Sequence, residues 1–139
     1  MAGTNAVLGG GGFHHVAIKV RDFDAAKKFY VAGLGFAETI SWGEGDGRAV
    51  MLDAGDGNYL EIFAGGPAEP RPEGVVVHFA LRTSDCDAAL ARARAAGAQV
   101  TMEPKSVEIP SKPAKTPVRI AFCKGPGGEV IEFFQNETT

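Results

Sequence analysis

One stretch of the chain occurs twice. HVAIKVRDFDAA, His15 to Ala26, returns as HFALRTSDCDAA, His78 to Ala89, in a protein with only three histidines. The copies agree at the histidine, the following alanine, both aspartates and the closing Ala-Ala pair, and they keep size or charge at Ile18/Leu81 and Lys19/Arg82. A repeat of this kind restricts the fold to two like units, neither of which closes a core alone, paired about a pseudo-twofold axis.

Each copy opens with strand periodicity. Val16, Ile18 and Val20 alternate with His15, Ala17 and Lys19, and Phe79 and Leu81 alternate with His78, Ala80 and Arg82. Each histidine therefore lies on the face opposite the bulky aliphatic set. A helix start follows in each half: Asp22 in the first, and Ser84 or Asp85 in the second, can cap free backbone N–H groups, with Gly33 and Gly97 as stops. Phe23, Ala26 and Tyr30 in one helix, and Cys86, Ala89, Leu90 and Ala93 in the other, form apolar stripes that can pack on the aliphatic strand faces.

Three extended segments complete each half: AETISW, GRAVMLDA and NYLEIFA, then QVTMEP, PVRIAFC and EVIEFFQ. GEGDG, GDG and KGPGG turns separate several of them. The pattern is α+β, two tandem βαβββ modules over 13–66 and 75–135 within one domain, preceded by a glycine-rich, flexible segment at 1–12. KSVEIPSKPAKTPVR, Lys105 to Arg119, reads as a solvated loop near one end of the sheet; as a rim it would offer Lys112, Lys115 or Arg119 to an anionic substrate.

The last strands also correspond, with Glu61 in GNYLEIF matching Glu132 in GEVIEFF. A glutamate on the inner face of a sheet costs several kcal/mol unless it is paired, hydrogen-bonded or bound to metal. Taken singly, a strand histidine is more often a structural residue and a strand glutamate a solvated one. Taken together, His15, Glu61, His78 and Glu132 make a charge-neutral set for a divalent cation. His14 has no counterpart, since Val77 stands in its place, and it reads as structural or solvent-facing. Tyr59, Phe63 and Phe134 share parity with the glutamates and can line an apolar substrate pocket, with a better claim than Trp42.

Composition excludes other partners. A net charge of -3 with scattered Lys and Arg offers no field for a phosphate backbone. There is no apolar run of membrane-spanning length and no signal-peptide order, so a cytoplasmic location is expected. Cys86 and Cys123 read as buried thiols.

With these features in place, the chain resembles the glyoxalase, bleomycin-resistance and extradiol-dioxygenase superfamily, the vicinal oxygen chelate proteins, from Phe13 to Gln135. HVAIKVRDFDAAKKFY, GLGF at Gly33 to Phe36 and the closing GPGGEVIEFF carry the likeness. The resemblance implies an open, cupped mixed sheet with helices on its outer face, and assembly as a homodimer, in some members with each metal site between subunits. The order His, Glu, His, Glu is similar to the ligand set of glyoxalase I at His15, Glu61, His78 and Glu132. It implies one divalent ion per site, nickel, cobalt or zinc, with manganese or iron as alternatives. The ion would hold two neighbouring substrate oxygens and stabilise an enediolate, with Glu132 as the first choice of proton-carrying base and Glu61 as its counterpart.

Two departures bear on the substrate. Lys19 stands where bacterial glyoxalase I has an arginine that helps hold a glutathione carboxylate, and Gly65 stands where it has an asparagine; lysine lacks the bidentate fork and glycine lacks any side-chain contact. The expected substrate is thus a small oxygen-chelating molecule, with a lactoylglutathione lyase-like reaction first. A dioxygenase or thiol transferase would need only two histidines and one carboxylate, and an epimerase of this superfamily generally carries glutamine where Glu61 stands. The non-enzymatic alternative is a metal-free antibiotic-binding protein of the bleomycin-resistance type.

Overall fold

The computed structural model describes residues 13, 15–70, 74, 76–111 and 113–137. The expectations for segment 1–12, His14 and Lys112 lie outside the described residues.

Each half folds as the repeat requires. In the first, β1 (His15–Lys19) leads into α1 (Phe23–Lys28), which runs on as a single π-helical turn over Phe29–Gly33, followed by β2 (Ala37–Trp42), β3 (Ala49–Asp53) and β4 (Tyr59–Phe63). The second repeats this as β5 (Phe79–Arg82), α2 (Cys86–Ala95), β6 (Gln99–Ile109), β7 (Thr116–Lys124) and β8 (Val130–Gln135). The sheets have the orders β1-β4-β3-β2 and β5-β8-β7-β6. First and last strands of each module pair in parallel, and the other neighbours are antiparallel. The α+β class and the two βαβββ units are those expected.

Both helices start on the residue type that their free N–H groups demand. Asp22 accepts from the Ala25 N–H at 2.9 Å, and Asp85, rather than Ser84, accepts from the Ala88 N–H at 3.0 Å. Gly97 stops α2 with a φ of +100°. Gly33 has another role: a Cβ there would lie 2.6 Å from Ala96 Cβ, so its size lets the end of the first helix touch the end of the second. The left-handed turn after the π segment falls to Gly35, at φ +77°.

Both helices lie on the aliphatic faces of their own sheets, and their apolar residues join one buried cluster that includes Tyr30, Phe36, Leu52 and Ile62 from the first module and Leu90, Ala121, Ile131 and Phe133 from the second. Cys86 and Cys123 are free thiols in this cluster. Burial pushes the Cys123 thiol up to about 11 and raises that of Cys86, which removes both from thiolate chemistry. Among the described residues no helix is long and apolar enough to cross a membrane.

The segment Lys105 to Arg119 is not a loop. Residues 105–109 continue β6 and 116–119 begin β7, paired from Lys105↔Ile120 to Ile109↔Thr116. Its prolines are compatible with strands, because each occupies a place where a missing N–H is tolerated. Pro110 and Pro113 lie between the strands, and Pro117 lies beyond Arg119, the last β7 residue paired to β8. Arg119 is bound by Asp87 of α2 through two hydrogen bonds of 2.5 and 2.8 Å, and Lys115 pairs with Glu108 at 2.9 Å. Neither is a spare cation on a rim.

Candidate metal and substrate site

Strand register builds two matching half-sites. In the first module, parallel pairing sets His15 opposite Tyr59 and Ala17 opposite Glu61, so His15 and Glu61 are diagonal neighbours on one face. Leu60 and Ile62 turn the other way into the core. His15 Nε2 stands 3.4 Å from Glu61 Oε2. In the second module, His78 just precedes β5 and Glu132 lies opposite Ala80. Their Nε2 and Oε2 atoms are 3.0 Å apart.

Both glutamates are buried, at 9% and 8% exposure, while their histidines remain partly open. Burial raises the Glu132 carboxyl above the usual glutamate value, and the charge and hydrogen bond of His78 partly offset this. A carboxylate held against one imidazole still has lone pairs for a cation.

The donor chemistry fits a divalent ion. Two ligands each about 2.1 Å from one ion stand about 3.0 Å apart at right angles and about 3.4 Å apart at the tetrahedral angle. Both separations are found here, although each also suits an ordinary or weak His–Glu contact. The two pairs are on separate sheets, and among the described residues no three of His, Cys, Asp and Glu lie close enough to hold an ion together. Among the described residues the four candidate ligands thus stand as two separate His–Glu pairs.

Aromatic residues surround both halves. Tyr59 and Phe63 share the Glu61 face, and Phe134 shares that of Glu132, as their parity requires. Trp42, given the lesser claim from sequence, packs edge-on against Phe63 with ring centroids 6.2 Å apart and stays 41% exposed. Phe122, missed by the sequence reading, lies opposite Glu132 in register and packs edge-to-face on His78 at 5.4 Å. Counting back across the KGPGG turn would have found it, because the hairpin register ties Phe122 to Glu132. Lys19, opposite Phe63, and Arg82, opposite Phe134, bring one cation to each half-site. At Gly65, where φ is +75°, a Cβ would stand 2.9 Å from the Asp46 carbonyl oxygen and 3.6 Å from Lys19 Cε, so the chain turn there requires glycine and Lys19 gains no side-chain neighbour from that position.

The sequence profile of the Glyoxalase/Bleomycin resistance protein/Dioxygenase superfamily matches residues 12–133. The chain is 34% identical to the uncharacterized protein YwbC of Bacillus subtilis (strain 168) over 125 residues, covering 87% of this chain and 94% of YwbC. Among solved structures it is similar to TnmS3, an antibiotic binding protein from Streptomyces sp. CB03234, with 27% identity, a TM-score of 0.65 and coverage of 91% of this chain and 97% of TnmS3. A glyoxalase/bleomycin resistance protein from the same organism is 29% identical with a TM-score of 0.61, covering 88% of this chain and 97% of that one.

Proposed function

The chain belongs to the glyoxalase/bleomycin resistance protein/dioxygenase superfamily, and we propose that within it this protein is a divalent-metal-dependent lyase or isomerase acting on small molecules with two neighbouring oxygens. The observation that carries the reading is the doubled His–Glu pair, with separations of 3.4 and 3.0 Å and each glutamate buried beside aromatic residues of its own sheet face. One such pair is an ordinary ion pair. Two, at matching places in a duplicated unit, make a four-ligand set of two imidazoles and two carboxylates, which nickel, cobalt or zinc would accept.

Because a chain offers these ligands two by two, we assign each site to a homodimer: His15 and Glu61 from one protomer, His78 and Glu132 from its partner. The half-exposed apolar residues beside the ligands, Ile40 at 57% and Trp42 at 41% exposure, gain cover in such an assembly. The unpaired buried thiols suit the reducing cytoplasm.

Bound there, the ion would supply Lewis-acid stabilisation of charge developing on the substrate oxygens. The protein's own groups do the rest. Glu132 takes the proton from one substrate carbon and returns it to the next, and its burial favours the proton-holding form. Glu61 is its counterpart on the other half-site. Phe122 holds the His78 ring, and Phe63, Tyr59 and Phe134 exclude water from the substrate's apolar part. Lys19 attracts an anionic substituent without fixing it bidentately.

Metal content tests both parts. His15→Ala and His78→Ala are purified, loaded with zinc, and measured alone and after subunit exchange. Each variant alone should have lost the ion held by wild type. In an exchanged equal mixture half of the dimers are mixed and each regains one of two sites, so about a quarter of the wild-type content should return. No zinc in wild type would overturn the metal reading. Zinc in wild type with none regained on mixing would place all four ligands in one chain.

A second reading is a metal-free small-molecule binder: the separations of 3.4 and 3.0 Å also suit His–Glu ion pairs, and TnmS3, 27% identical, is an antibiotic binding protein. Such a protein would keep its ligand affinity in chelator and in His78→Ala.

A further inference from the structure

The two halves repeat their His–Glu pairs but not their buried polar groups. Tyr30, fully buried on the π turn of the first module, donates its hydroxyl to Glu129 Oε1 of the second at 2.5 Å. At the matching places the other half has Ala93 and Asn58, and the Asn58 amide donates within its own turn, to the Gly55 carbonyl at 2.9 Å and the Asp56 carbonyl at 3.4 Å.

The turn before β8 is shaped around this carboxylate. Glu129 Oε2 accepts from the Gly127 N–H at 2.8 Å, and a Cβ on Gly125 or Gly127 would collide with the Glu129 side chain. The Gly127 position also lies over the first module, where a Cβ would stand 3.1 Å from Val20 Cγ1. The GPGG sequence thus lets a second-module glutamate fold back and reach a first-module phenol. Tyr30 is itself held by Phe29 and Phe36, with ring centroids 5.0 and 5.3 Å away.

We propose that Tyr30 and Glu129 are positioning residues that set the angle between the two modules, and with it the relative placement of the His15–Glu61 and His78–Glu132 pairs. Apolar packing, such as Gly33 against Ala96, brings the modules together but is weakly directional, and the hydrogen bond that Arg92 Nε–H donates to the Gly33 carbonyl at 3.2 Å is exposed to water. A buried hydrogen bond to a carboxylate is directional and strong. Where each site takes one half from each of two copies, both sites depend on this one angle; that consequence rests on the metal reading, whereas the setting of the angle does not.

The two claims separate in one experiment. Nitroxide labels are attached at Ser41→Cys and Thr101→Cys, exposed positions on the edge strands β2 and β6, and the labelled chain is diluted with unlabelled chain. Buried Cys86 and Cys123 should stay unlabelled. Electron–electron dipolar spectroscopy should give one narrow distance in wild type and in Glu129→Gln, which keeps the acceptor for Tyr30 and gives up only the bond from Gly127 within its own module, and a broadened one in Tyr30→Phe and Glu129→Ala. Zinc uptake should weaken about tenfold in the two broadened variants, as for loss of an orienting group behind a metal ligand. If Tyr30→Phe fails to fold, Glu129→Ala decides. An unchanged distance in the folded variants overturns the proposal. A broadened distance with unchanged zinc affinity overturns its link to the site. If wild type takes up no zinc, the metal reading fails and the distances alone decide the positioning role.

Discussion

His78 Nε2 lies 3.0 Å from Glu132 Oε2 with the Phe122 ring edge-to-face against the imidazole, whereas the His15–Glu61 pair, with Met51 at the matching register position, is 3.4 Å apart. The duplicated halves are thus unequal: the second module has its His–Glu pair closer and its histidine packed against an aromatic ring.

Phe122→Ala should therefore weaken zinc uptake about tenfold, as loss of a group that orients a metal ligand does. Met51→Ala should change it less. Titration with zinc against a competing chelator measures both, and equal effects would remove the argument from ring packing.

Glu132→Gln should lower turnover of a hemithioacetal substrate by about 10²- to 10⁴-fold, the range for loss of a general base, and should retain most of the metal because an amide oxygen can still coordinate. Glu61→Gln should reduce turnover less if Glu132 carries the proton. Rates measured with metal content matched decide which carboxylate works, and a larger loss at Glu61 would reverse the assignment.

Glu129 gives a pH dependence of known sign. Burial holds its carboxyl above the ordinary 4.5, against the lowering effect of the Tyr30 and Gly127 hydrogen bonds. Between 4.5 and the raised value the unfolded chain has released the proton while the folded chain keeps it, so native stability falls as pH rises. Glu129→Gln lacks this titration. Urea midpoints should show wild type losing ground to the variant as pH is raised from about 4.5, and a gap that narrows with pH would contradict the burial.

Asp22→Ala and Asp85→Ala each remove a side-chain acceptor from a free N–H, at Ala25 and Ala88, and each should cost about 1 kcal/mol. Asparagine at either position should recover most of it. Equilibrium denaturation reads the loss, and a neutral Asp85→Ala would mean that Ser84 takes over the cap.

Much of the architecture is legible in the chain. The two modules, their helix starts and the face carrying His15, Glu61, His78 and Glu132 follow from alternation and from the repeat, which are local properties. Other features depend on residues distant in sequence. Lys105 to Arg119 reads as a loop from its prolines, yet pairing across the hairpin and the grip of Asp87 on Arg119 make most of it strand. Phe122 alternates with the buried Ala121 and Cys123 as any strand residue of the opposite face does, and only register sets it against His78.

By itself the sequence determined which residue types recur and on which face they lie, because side-chain alternation in a strand and capping at a helix start are decided within a few residues. The tertiary structure alone decided that His15, Glu61, His78 and Glu132 stand as two pairs on separate sheets, and that Tyr30 reaches Glu129 across the module boundary. Those relationships depend on the angle at which two like units meet, and that angle is set by packing and by one buried hydrogen bond between residues far apart in the chain.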